Sequence, residues 1–218
     1  MYTVGFDLDA TLAVVDDDRA SILAAARERV EAPPISREEY LDAHAAHSGS
    51  DTREPVFEAL LADHETEVSP ESLATAYREE IQAALTPVPG AAELVRALRA
   101  DRPVGLLTDG PVTTQTHKLE RLGWTALFDV TVVTGGLPAP KPSAHAFEAL
   151  CDALGSTPGQ TAYVGNDPVA DIEGAAAAGL VPVQVLYEGG PEPHPDAAAT
   201  VQRDAIRSDL PDVLDSLF

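Results

Sequence analysis

Two aspartates one residue apart, Asp7 and Asp9, follow directly on a short apolar run, Tyr2 to Phe6. Further polar side chains stand at the ends of other apolar runs: Thr108 and Asp109 in GLLTDG, Lys141 in APKPS, and Asn166, Asp167 and Asp171 in VGNDPVADI. Carboxylate and amide oxygens brought close together repel one another, and a hard divalent cation with oxygen ligands, Mg²⁺, is their natural neutraliser. A lysine and a hydroxyl beside that cation make a site for a phosphate dianion. Pro140 and Pro142 restrict the backbone on either side of Lys141.

These residues converge only if the apolar runs are strands of one sheet. After Pro87 and Pro89 the pattern alternates: helix 91–99, strand 104–108, helix 112–122, strand 130–134, helix 144–154, strand 161–165, helix 169–178 and strand 182–186. A loop, EGGPEPHP, then leads to a short strand near Thr200 and a last helix from Asp204. Such alternation predicts an α/β fold, a doubly wound parallel sheet with helices on both faces. Ligands of open parallel sheets bind outside the carboxyl ends of the strands, which is where the polar residues fall.

Residues 16–85 read differently. SREE at Ser36–Glu39 is a capping box, and Ser69 before Pro70 and Glu71 marks a second helix start. Leu73, Tyr77, Ile81 and Leu85 recur every four residues, while Val56, Phe57, Leu60 and Leu61 line another helix. The expected organisation is a catalytic core formed by residues 1–13 and 87–218, with a helical cap, residues 14–86, inserted after the first strand.

Composition narrows the class. The 218 residues carry 36 acidic and 14 basic side chains, a formal net charge of −22. Residues 14–86 hold 17 acidic and 6 basic side chains, net −11, so the insertion has about twice the charge density of the remainder. This acidity argues against nucleic acid and anionic lipid as partners and points to a salt-rich cytoplasm, where screening is short in range. No apolar run approaches the roughly 20 residues of a membrane helix, and the start of the chain lacks a signal-peptide pattern. Cys151 stands alone and reads as a small core residue. Asp16 to Asp18 reads as a complement to a helix dipole. Only two lysines, Lys118 and Lys141, stand against twelve arginines, so each invites a specific explanation.

Taken together, FDLDATL, GLLTDG, KPSAHAFEAL and VGNDPVADI resemble the four ordered signatures of the haloacid dehalogenase superfamily, on its phosphatase branch, over nearly the whole chain. The resemblance implies a Rossmann-like core with a type-1 helical cap and a Mg²⁺-dependent hydrolase of small phosphorylated metabolites. It makes Asp7 the nucleophile that forms an aspartyl phosphate and Asp9 the acid and base, with its backbone carbonyl on the metal. Thr108 and Lys141 then hold the phosphoryl group, with Asp109 as a neighbour of the phosphate site. Thr11 braces the loop.

Two departures stand out. Ala10 replaces the glycine common in the family, and Asn166 occupies the place of a metal-ligating aspartate. Asn166 and Asp167 are therefore both candidates for direct ligation, with Asp171 behind them holding a metal-bound water. Arg53, in HSGSDTR, is a candidate contact for an anionic substrate group. Rival readings are a haloacid dehalogenase, which has no need of Asp9, and a catalytically weak phosphate-ligand binding protein of the same fold. A signalling receiver domain carries its phosphoacceptor after the third strand and spans only about 120 residues.

Overall fold

The structure, a computed structural model, describes residues 2–15, 19–47 and 53–218. The acidic run Asp16 to Asp18 and most of HSGSDTR lie outside the described residues. The chain divides into two units, Met1–Val14 with Thr86–Phe218, and Val15–Leu85.

In chain order the elements begin with β1 (Thr3–Phe6), β2 (Ala13–Val15), α1 (Arg19–Val30), α2 (Arg37–Ala46), α3 (Glu54–Leu61) and α4 (Pro70–Ala83). There follow β3 (Leu85–Pro87), α5 (Ala91–Arg99), β4 (Val104–Thr108), α6 (Val112–Leu122), β5 (Val130–Val133) and α7 (Ala144–Leu154). The chain ends with β6 (Thr161–Gly165), α8 (Gly174–Ala177), β7 (Val181–Leu186), β8 (Ala199–Gln202) and α9 (Ile206–Leu217).

Among the described residues, six strands form one sheet in the order β5-β4-β1-β6-β7-β8, and each neighbouring pair is parallel. The central strands β1, β4 and β6 are buried at every position, which is why they read as apolar runs rather than as alternating patterns. Gly5 and Gly105 face each other across β1 and β4. Leu150 of α7 rests on both: an added Cβ at Gly5 would overlap Leu150 Cδ2, and one at Gly105 would fall 2.7 Å from Leu150 Cδ1. Glycine at these two positions lets α7 approach the sheet, where Phe147, Leu150 and Cys151 join Leu107 and Tyr163 in one buried cluster.

The second unit is helical, with α1 against α4 and α3 against α4. Its core gathers Leu23, Tyr40, Phe57, Leu73, Tyr77 and Ile81. The two helix starts read from the sequence are present. Ser36 Oγ accepts from the Glu39 N–H while Glu39 Oε2 accepts from the Ser36 N–H, and Ser69 Oγ accepts from the Ser72 N–H. No described helix is long and apolar enough to cross a membrane.

Two features depart from the sequence reading. β2 and β3 pair with each other as a second, two-stranded sheet; three residues each, one ending in proline, carry no readable period. The expected helix 169–178 opens instead as a π-helical turn, Pro168–Glu173, before α8. That turn holds Asp171, whose side chain is drawn into the site described next.

Candidate active site

The carboxyl ends of β1, β4 and β6 lie side by side, with Phe6 opposite both Leu106 and Val164. Beyond Phe6 the Asp7 N–H still donates to the Val164 carbonyl at 2.9 Å, so Asp7 is held as firmly as a strand residue. Its side chain is buried, and Oδ1 accepts from Lys141 Nζ at 2.8 Å. Lys141 Nζ also donates to Asp171 Oδ1 at 2.6 Å and to the Tyr163 hydroxyl at 3.1 Å. All three ammonium protons thereby meet acceptors. The Tyr163 hydroxyl in turn donates to the Leu107 carbonyl at 3.0 Å, one residue before Thr108.

Burial dominates the electrostatics here. It pushes the Asp7 carboxyl up to about 7, with Asp171 and Asp9 adding to the rise and Lys141 opposing it. Burial pulls the Lys141 ammonium down, but Asp7, Tyr163 and Asp171 outweigh it and hold the group well above its usual value. The lysine stays charged, and the carboxylates around it remain incompletely neutralised.

Asp171 also shapes the neighbouring loop. Its Oδ2 accepts the N–H groups of Asn166 and Asp167, each at 2.9 Å. The side chain occupies the space beside Gly165, where an added Cβ would fall 2.5 Å from Asp171 Oδ2. On the opposite side, buried Thr11 donates from Oγ1 to Asn166 Oδ1 at 3.0 Å. Ala10 sits at φ 64°, the left-handed region that glycine enters without cost.

Thr108 is fully buried at the end of β4, and its hydroxyl has no hydrogen-bond partner among the described residues. A buried hydroxyl without a partner costs free energy, so Thr108 is poised for an acceptor from outside the chain.

Several of the expected site residues also make bonds of their own. The Asp109 carboxylate, expected as a neighbour of the phosphate site, accepts at Oδ1 from Thr134 Oγ1 at 2.8 Å and from the Lys141 N–H at 3.1 Å. It fastens the turn after β5 and the Lys141 segment to the end of β4. Asp167, read as a possible direct ligand, is exposed, and its Oδ1 caps the π-helical turn by accepting from Val169 and Ala170 N–H at 2.9 and 2.7 Å. Asp171, expected to hold a metal-bound water, bonds to Lys141 and two backbone N–H groups. Arg53 lies in the helical unit, donating to the Tyr40 hydroxyl and stacking over the Tyr77 ring at 5.6 Å, beside a cleft of about 210 Å³.

Three residues were not singled out for the site in the sequence. Lys118 of α6 is 8% exposed and donates from Nζ to both oxygens of Asp9, at 2.7 and 2.6 Å. Gln115, one helical turn earlier, donates from Nε2 to Asp9 Oδ2 at 3.3 Å and to the Asp109 carbonyl at 2.5 Å. Tyr163 is the third. The scarcity of lysine was the only signal for Lys118, and the other two had none.

The order of these groups along one sheet now has a counterpart in known proteins. A family profile described as haloacid dehalogenase-like hydrolase matches residues 1–179. The chain belongs to that family. As a member it is a hydrolase with the family's α/β architecture. It is 30% identical over 192 residues to a phosphoglycolate phosphatase from Chromobacterium violaceum, a match covering 84% of each chain. In fold it is similar to a 2-haloacid dehalogenase from Pseudomonas syringae pv. Tomato, with a TM-score of 0.78 at 21% identity over 100% of both chains. It is also similar to a haloacid dehalogenase-type phosphatase from Thermococcus onnurineus, with a TM-score of 0.71 at 22% identity over 98% of both chains.

Proposed function

We propose that this hydrolase is a Mg²⁺-assisted phosphatase of a small phosphorylated metabolite, working through an aspartyl phosphate on Asp7. The observation that carries the reading is the buried, unpartnered hydroxyl of Thr108 on the strand next to Asp7 and its Lys141 partner. A phosphoryl oxygen is the acceptor that completes it. The phosphatase name of the Chromobacterium relative agrees with this choice.

The donor set suits a hard cation. Burial leaves the Asp7 carboxyl raised to about 7 in spite of Lys141, a condition that a nearby divalent charge reverses. Asp7, the Asp9 backbone carbonyl and Asn166 Oδ1 are the oxygens that would hold Mg²⁺. When bound, the ion supplies charge neutralisation between the phosphate dianion and the attacking carboxylate.

The chain's own residues account for the rest. Lys141 holds Asp7 Oδ1, and Asp7 Oδ2 attacks phosphorus in line, forming the Asp7 acyl phosphate as the phosphorus–oxygen bond to the leaving group breaks. Asp9 gives its proton to that oxygen, then takes one from the water that attacks the aspartyl phosphate and frees Asp7. Thr108 donates to a phosphoryl oxygen, and the Lys141 charge offsets that of the phosphoryl group. Asp171 positions Lys141 and the Asn166 loop, while Thr11 orients the Asn166 amide. Residues 14–86 are assigned the role of a cap that selects the leaving group, with Arg53 among its specificity residues. The acidic surface fits a protein of a salt-rich cytoplasm.

The test is phosphate release from p-nitrophenyl phosphate and from a panel of phosphorylated metabolites, with Mg²⁺ and with a chelator. Mg²⁺-dependent release supports the reading. No release from any ester with Mg²⁺ present rejects it in favour of a binding protein, and halide release from 2-haloacids under the same conditions assigns the dehalogenase reaction.

A further inference from the structure

The second lysine has no part in the steps above, yet it is placed with unusual care. Lys118 and Gln115 stand three residues apart on α6 and share one face of the helix. Both are buried, and both bond to Asp9, Lys118 through the two carboxylate oxygens at once. The pair is asymmetric: the Lys118 side chain is 9% exposed and the Asp9 side chain 41%. An ordinary surface pair, such as Arg29 with Glu79 at 52% and 44%, leaves both partners free to move. Here the cation is packed and the carboxylate stays accessible. Gln115 adds a third donor and is itself tied to the Asp109 backbone, so the assembly is braced against β4.

We infer that Lys118, supported by Gln115, is a positioning residue for the Asp9 carboxylate, fixing it in the geometry in which it meets the leaving oxygen. The inference rests on the proposed role of Asp9. Misplacing a catalytic group by about 1 Å costs on the order of 10²-fold in rate. That cost depends on the leaving group. An alkoxide requires proton transfer as the ester bond breaks, whereas p-nitrophenolate departs as the anion, so a displaced Asp9 slows formation of the aspartyl phosphate only from the alkyl ester; its hydrolysis is common to both, and kcat/KM reports the first step alone.

The experiment compares wild type, Lys118→Met and Lys118→Arg with saturating Mg²⁺. The substrates are p-nitrophenyl phosphate and one alkyl monoester, 2-phosphoglycolate or the fastest of the panel. In Lys118→Met, kcat/KM for the alkyl ester should fall about 10²-fold, and kcat/KM for the aryl ester less than about threefold. Lys118→Arg should recover part of the alkyl activity. Equal losses in kcat/KM on both esters, or none, overturn the inference while leaving the phosphatase reading intact. A wild type that cleaves neither ester removes both. Should Lys118→Met not fold, Lys118→Gln is measured in the same way, and an unchanged alkyl-to-aryl ratio of kcat/KM overturns the inference.

Discussion

Thr11 Oγ1 donates a hydrogen bond of 3.0 Å to Asn166 Oδ1, joining the loop after β1 to the loop after β6 through the one uncharged side chain of the proposed metal ligands. The hydroxyl fixes which end of the amide faces Thr11. An aspartate at 166 keeps this bond and adds a charge.

Asn166→Asp is therefore expected to tighten Mg²⁺ binding, with the larger gain at low salt, as measured by calorimetric titration. Asp167→Ala should leave Mg²⁺ affinity unchanged and lower stability by about 1 kcal/mol, because the carboxylate acts as a helix cap. A clear loss of affinity in Asp167→Ala would return that residue to the metal.

Asp7→Asn should abolish turnover, by several orders of magnitude in kcat, while the protein remains folded, since a carboxamide is nearly isosteric but a poor nucleophile. Pure mutant protein with a tenth of wild-type activity removes Asp7 from the nucleophile's role.

The same carboxyl gives a pH signature in metal-free protein. Its folded value, raised by burial from 3.8 to about 7, means that the native state holds a proton the unfolded chain has released between those limits. This contribution to stability is fully present below about pH 4 and is lost as pH rises through about 7. Thermal midpoints in chelator should fall across that window, more steeply in wild type than in Asp7→Asn. Equal slopes in the two proteins would show that Asp7 titrates as it does in the unfolded chain.

Ala10→Gly should stabilise the protein. An L-residue at φ 64° costs about 1–2 kcal/mol, and glycine removes that cost while giving back part of it as chain entropy. The net gain of about 0.5–1 kcal/mol corresponds to a midpoint rise of about 2 °C in a chain of this size. A fall in midpoint would mean that the methyl group contributes packing that outweighs the strain.

Stability should rise with KCl from about 0.1 M to a few molar, because screening shortens the reach of the repulsion implied by a net charge of −22. The titration is run at saturating Mg²⁺ to separate screening from ion binding. A flat or falling midpoint removes salt adaptation as the reason for the acidity.

Much of the sheet-bearing unit was legible in the sequence. β4, β6, α5, α6 and α7 have the bounds read from their patterns, since buried parallel strands are short apolar runs and their helices carry a clear amphipathic period. So were Asp7, Thr108 and Lys141 as neighbours, because the carboxyl ends of parallel strands share one edge of the sheet. Local sequence also specified the helix caps at Ser36 and Ser69, whose bonding partners lie three residues away.

Partners distant in sequence were decided by the tertiary structure alone. Which carboxylate takes which lysine, Asp7 with Lys141 and Asp9 with Lys118, depends on contacts 134 and 109 residues apart. Asp109, Asp167 and Asp171 are the same kind of group in the sequence, yet one fastens the turn after β5, one caps a turn and one orients a lysine. A side chain's type sets what it can bond to, but its partner is chosen by where packing places the backbone. That is why the composition of this site was readable from the chain and its wiring was not.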